Sequence, residues 1–245
     1  MNRLKIFIGL LILVGICMVV PPVSAYQFSM TTVENYDSLV DLYPDGTISS
    51  TYVYNWLTGQ GWTQKFHQMD ASVDDTDFAT NGGALNDADL HYHFGHGDWI
   101  SGTTHVQYSN WPTSSLVRTE VYKKWGTSLI SANKWVVLDA CWVLYDLQWG
   151  SALKHSHGIL GFGSAKNVNS YLSSSFLQNC INNDYTIVLS WQMATQTVLA
   201  GNNHLVRVIF DTQDQLWNDH LPGHGTVSGS ELLDDDTEYY AEWRT

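Results

Sequence analysis

The sequence predicts an α/β domain on a mostly parallel sheet that is buried on both faces, a three-layer α/β/α sandwich. Three observations carry that expectation. Short apolar runs, such as Trp135–Leu138 and Ile159–Phe162, with Leu205–Phe210 interrupted only at Arg207, have strand length and lack the polar alternation of a half-solvated sheet. Stretches with helical spacing separate several of them. Two chemically loaded tripeptides, Gly95-His96-Gly97 and Asp139-Ala140-Cys141, directly follow apolar strands. Open parallel sheets place their ligand chemistry at such carboxyl ends.

Taken in order, the chain begins with residues that read as an export signal. Asn2, Arg3 and Lys5 form a short basic start, Ile6 to Val20 is apolar, and Pro21-Pro22 break that run. Val23-Ser24-Ala25 offers the small residues of a cleavage site, so cleavage is expected after Ala25. The run is short for a membrane span, although an uncleaved anchor is the alternative. Residues 26–245 are then one domain, secreted or extracytoplasmic. Its first strand is expected within Tyr26–Tyr36, a helix over Ile48–Leu57 and an extended piece over Trp62–Met69. Asp70–Asp87 reads as an acidic surface loop, Ala88–Phe94 as a strand and residues 98–112 as a loop or hairpin. Helical spacing marks Leu116–Trp125, Tyr145–Lys154, Ser170–Ile181 and Ile187–Leu199. The stretch from Glu231 reads as a peripheral acidic tail.

Charge narrows the partners. The formal net charge is −13, and removing two of the 11 basic residues with the signal while keeping all 24 acidic ones makes it −15. Nucleic acids and anionic membranes call for basic surface, so neither is an expected partner. A soluble, self-repelling surface is what such a balance mainly produces. Two cysteines remain after processing, Cys141 and Cys180, and a disulfide between them is one reading in an oxidising compartment.

Cys141 has a second reading. A thiol is a useful nucleophile when enough of it is thiolate, and an imidazole can take its proton or serve the leaving group. At a strand-to-helix turn the helix N-terminus would favour the anion, and the Cys141 N–H would be an unpaired donor. Gly97 could add a second N–H to an oxyanion hole, because glycine allows close approach to its backbone. Asp98 and Asp139 lie beside this site as positioning candidates.

These residues also carry a family resemblance. An apolar strand ending in His-Gly, then a second ending in Ala-Cys or Ser-Cys, is the pattern of caspases, legumains, gingipains, clostripain and separase. Here it reads Leu90-His91-Tyr92-His93-Phe94-Gly95-His96-Gly97 and Trp135-Val136-Val137-Leu138-Asp139-Ala140-Cys141. The order and the 45-residue gap are similar to that group, and Asp139 is similar to the acidic residue two before the legumain cysteine. His157-Gly158-Ile159-Leu160-Gly161-Phe162-Gly163-Ser164 resembles the strand that follows the catalytic cysteine. With Trp149 it also resembles an uncharacterised prokaryotic family of exported proteins. The resemblance implies a caspase-hemoglobinase-like sandwich, with His96 as acid/base, Cys141 as nucleophile and Gly97 as oxyanion donor. It implies a peptide or protein substrate and no cofactor. The caspase sequence Gln-Ala-Cys-Arg-Gly is absent, and bulky Trp142-Val143-Leu144 follows the thiol, so no specificity pocket carries over.

Two rivals stand beside the cysteine peptidase. One is a catalytically inactive, caspase-like binding or surface protein. The other is a zinc-dependent hydrolase using His91, His93 and His96, because alternate residues of a strand share a face. His155, His157 or Cys141 would be its further ligands. In that motif Gly95 stands where an aspartate belongs. His224, in Gly223-His224-Gly225, follows Pro222 without a preceding strand and reads as loop.

Overall fold

The structure, a computed structural model, describes residues 26–127, 133–229 and 238–245. The signal expected over residues 1–25 and most of the acidic stretch from Glu231 lie outside the described residues. Among the described residues no helix is long and apolar enough to cross a membrane.

The chain runs β1 (Gln27–Thr32), α1 (Asp45–Gly59), β2 (Thr63–Met69), β3 (Leu90–Phe94), β4 (Gly97–Ile100), β5 (Thr103–Gln107) and β6 (Ser115–Val117). It continues through β7 (Trp135–Asp139), β8 (Gly158–Phe162), α2 (Tyr171–Asn182), α3 (Ile187–Val198), β9 (Leu205–Phe210), α4 (Gln213–Asn218) and β10 (Tyr239–Arg244). Seven strands form the central sheet in the order β10-β9-β8-β7-β3-β1-β2, and β4, β5 and β6 form a small second sheet. The five strands from β8 to β2 are parallel, while β9 and β10 pair antiparallel at one edge. The expected α/β/α architecture is therefore present.

The apolar runs became strands because the sheet is covered on both sides. All five residues of β3, β7 and β8 are buried. On one face Tyr92 meets Ser49 of α1 and Ser173 of α2. On the other, Phe78 packs edge-on against His91 and His93 at 5.4 Å each. That second outer layer is built from short 3-10 turns and the small sheet.

The differences from expectation concentrate there. Leu116–Trp125 is not a helix but β6 followed by a 3-10 turn over Arg118–Val121. Lys123 and Gly126 then take positive φ of 50° and 80°, which breaks helical propagation. Tyr145–Lys154 holds only 3-10 turns, Val143–Tyr145 and Leu147–Ala152. Extended Asp146 separates them, its carboxylate accepting from the Gln148 N–H at 2.9 Å. Buried Trp149 donates its indole N–H to Thr104 Oγ1 at 2.7 Å, tying this segment to the small sheet. At the C-terminus, Tyr239–Arg244 is the edge strand against β9 rather than a peripheral tail.

Candidate functional site

The geometry of the site begins with register. β3 and β7 are neighbouring parallel strands with Phe94 opposite Asp139. His96 and Cys141 are therefore each two residues beyond the carboxyl ends of adjacent strands. Contact is closest at Gly97, where a Cβ would lie 2.2 Å from the Cys141 carbonyl oxygen and 2.7 Å from Val143 Cγ2. No side chain fits between the two strand ends, which is why glycine stands there.

Gly97 also opens β4. The Gln107 N–H donates to the His96 carbonyl at 3.0 Å, which makes His96 and Gln107 a hydrogen-bonded pair. Gly97, opposite Val106, is then the next, non-bonded pair, and its N–H points away from β5. Among the described residues the Cys141 N–H has no hydrogen-bond partner. Both backbone donors named from the sequence are thus unused by the fold.

His96 is half-buried and held on three sides. Its backbone N–H donates to the Tyr36 hydroxyl at 2.7 Å, and the Tyr36 ring lies 4.7 Å from the imidazole at 53°. Burial pushes the Tyr36 phenol well above its usual range, so it stays protonated. Nε2 of His96 faces the Val40 carbonyl at 2.8 Å. A carbonyl only accepts, so Nε2 carries the proton and Nδ1 is the lone-pair nitrogen of the neutral ring. The imidazole and the thiol do not hydrogen-bond to each other among the described residues.

Cys141 is half-buried, and its sulfur is held by one residue. The Lys166 N–H donates to Sγ at 3.3 Å, and the thiol faces the Lys166 carbonyl at 3.6 Å. Burial pushes the thiol up, the Lys166 amide and ammonium pull it down, and Asp139 and Asp98 push it up again. The net direction is upward, so the resting group is a protonated thiol at neutral pH. The helix expected to depress it is absent. Trp142 takes φ 64°, its N–H donates to the Ser164 carbonyl at 3.0 Å, and only a three-residue 3-10 turn follows. The free Cys141 N–H comes from this left-handed turn instead.

The two positioning candidates separate. Asp98 is half-buried and accepts from the Trp99 N–H at 2.7 Å. Asp139 is fully buried, 2.6 Å from Lys166 Nζ and accepting from the Tyr92 hydroxyl at 2.9 Å. Its carboxylate is committed to the interior and does not line an oxyanion hole. Lys166 in turn lies over the rings of Phe94 and Phe162, 5.7 and 5.3 Å from their centroids. Sequence reasoning missed Lys166, Tyr36 and Val40. The only signal for Lys166 was its place just after the Gly163-Ser164 end of β8; Tyr36 and Val40 lie in a loop with no motif.

The zinc arrangement does not form. His91 Nδ1 lies 2.8 Å from Ser29 Oγ and its Nε2 3.1 Å from Thr31 Oγ1, which also sits 2.9 Å from His93 Nδ1. Burial pushes both imidazoles down, His93 to about 3, so both are neutral. Both nitrogens of His91 and Nδ1 of His93 serve strand β1, His93 Nε2 is buried without a partner among the described residues, and His96 turns to Val40. Among the described residues no three metal-ligating side chains converge. His157 is likewise engaged, 2.7 Å from the Asp219 carboxylate with both groups buried. Cys141 and Cys180 are both free thiols, Cys180 buried in α2.

The family model described as Domain of unknown function (DUF6345) matches residues 32–244. The crystal structure of the Drosophila initiator caspase Dronc superposes with a TM-score of 0.51 at 10% identity, covering 74% of this chain and 78% of that one. The fold is therefore caspase-like. No curated protein matches the sequence.

Proposed function

The chain belongs to the DUF6345 family, and we propose that it is a cysteine peptidase with Cys141 as nucleophile and His96 as acid/base. One observation carries the reading. In a caspase-like fold, a histidine and a cysteine stand at matching positions beyond the ends of adjacent parallel strands, with Phe94 opposite Asp139.

The chemistry is acyl transfer. The Cys141 thiol gives up its proton to the lone-pair Nδ1 of His96 as sulfur attacks the scissile carbonyl carbon. The Gly97 and Cys141 N–H groups receive the oxyanion, aimed where negative charge develops. His96 then protonates the departing amine, the C–N bond breaks, and water hydrolyses the thioester. The basic start and apolar run of residues 1–20 support export, with a peptide or protein as the extracytoplasmic substrate.

A fluorogenic peptide library tests this. Cleavage that disappears in Cys141→Ala and His96→Ala is the expected result; cleavage that survives Cys141→Ala would refute it. A second reading, a non-catalytic binding protein, draws on the Val40 contact of His96 and the protonated thiol. It predicts no cleavage by the unmodified chain.

A further inference from the structure

We propose that Lys166 is the positioning residue for the Cys141 thiol, holding the sulfur with its backbone and fixing that backbone through its buried side chain. The inference rests on the peptidase reading for its purpose, but not for its test.

Three observations converge on this one residue. Its N–H and its carbonyl both face Sγ, at 3.3 and 3.6 Å. A protonated thiol can donate to the carbonyl, and a thiolate can accept from the N–H, so one peptide segment serves both protonation states. The loop after β8 that supplies this segment needs an anchor. The ammonium provides it, 2.6 Å from Asp139 Oδ1 with side-chain exposures of 3% and 0%. The anchor point is two residues before Cys141 on β7. The thiol and its cradle are therefore fastened to the same strand end, and displacement of one carries the other.

Other charges facing the sulfur are few. Asp98 approaches from β4, Asp139 from β7, and the Tyr36 phenol lies close enough to feel the thiolate. His96 stands across the strand ends. The Lys166–Asp139 pair is thus a balance of opposite charges beside the thiol, and the two partners push its ionisation in opposite directions.

The test uses the full chain in a Cys17→Ser background, following iodoacetamide alkylation at the Cys141 peptide by mass spectrometry against pH. Cys180 is buried, with its thiol pushed up to about 12, and stays silent. Lys166→Met is expected to raise the midpoint, slowing alkylation at pH 7 by about tenfold for each unit of rise. Lys166→Arg, which keeps a buried cation on Asp139, is expected to restore most of the original curve. Asp139→Asn removes the anchor and a carboxylate together, so Lys166→Met is repeated in that background, where it is expected to move the midpoint less than in the unmodified chain. Such coupling is a signature that two independent charges do not give. Equal shifts in the two backgrounds, or none in folded variants, overturn the proposal. Should Lys166→Met not fold, Lys166→Gln takes its place with the same outcomes. Alkylation reads the thiol whether or not the chain cleaves peptides, so a failed peptidase reading appears separately, as an unmodified chain without cleavage.

Discussion

Gly97→Ala is the sharpest perturbation of the site. The added methyl carbon would stand 2.2 Å from the Cys141 carbonyl oxygen, against the 3.0 Å that real Cβ atoms keep, so the strand ends must part by about 0.8 Å. The obstacle is backbone and cannot rotate away; Val143 Cγ2 at 2.7 Å and Ala140 Cβ at 3.2 Å close the other directions. Overpacking of this kind costs about 1–3 kcal/mol. At about 2–4 °C per kcal/mol for a chain of this size, Tm should fall by roughly 2–12 °C. The functional loss should be larger, because misplacing reacting groups by about 1 Å costs on the order of a hundredfold. Differential scanning fluorimetry and peptide cleavage measure the two effects. Gly95→Ala is the control. Its Cβ would meet the ring ends of His93 and Tyr36 at 2.9 Å, which can adjust, so its Tm change should be smaller. If Gly97→Ala matches the unmodified chain in Tm and in Cys141 alkylation rate, the close approach of the strand ends is wrong.

Further expectations concern groups around the site and core. Tyr36→Phe removes the hydroxyl that accepts the His96 N–H; it should cost about 1–3 kcal/mol in urea unfolding and lower kcat more than it changes KM. Asp219→Ala removes the carboxylate that His157 Nδ1, the Trp135 indole N–H and the Ser228 N–H all meet. Loss of the acceptor for a buried donor costs about 1–3 kcal/mol, and Asp219→Asn should cost less in the same unfolding experiment. His91 and His93 set an acid limit. Their folded values lie below the unfolded 6.5, His93 at about 3, so their contribution is complete above pH 6.5 and is lost as pH falls toward 3. At pH 5 His93 alone should cost about 2 kcal/mol relative to pH 8. An urea midpoint that holds steady between those pH values would contradict buried neutral imidazoles.

The sheet was legible because burial on both faces writes itself as unbroken apolar runs; Trp135–Leu138 and Ile159–Phe162 became β7 and β8 with nearly those bounds. Helices α2 and α3 were legible because their apolar residues recur at helical spacing against the sheet. The 116–125 and 145–154 stretches misled for the same reason. Their buried residues have helix-like spacing, but Val121 and Trp149 pack from 3-10 turns and Trp125 from a single bridge to Leu153, and the positive-φ and extended residues between them depend on tertiary contacts. At the site, His96, Gly97 and Cys141 were legible from strand ends. Asp139 was read as facing the chemistry because its partner, Lys166, lies 27 positions onward. Val40 takes part through its carbonyl, which every residue possesses, so no side-chain pattern could have singled it out.

The Ser29–His91–Thr31–His93 seam has a consequence for how the chain finds its register. Parallel strands slide easily in steps of two residues, since such a slip keeps the same side chains inward. Here a two-residue slip of β1 along β3 would leave a neutral imidazole without its hydroxyl in the dry interior, a penalty that apolar strands never impose. The hydroxyl and imidazole pairs act as teeth between the two strands. Tyr36 and Val40 follow β1 only a few residues later, so the tooth that is engaged decides which phenol and which carbonyl meet His96. A seam with no part in chemistry thus indexes the loop that orients the imidazole.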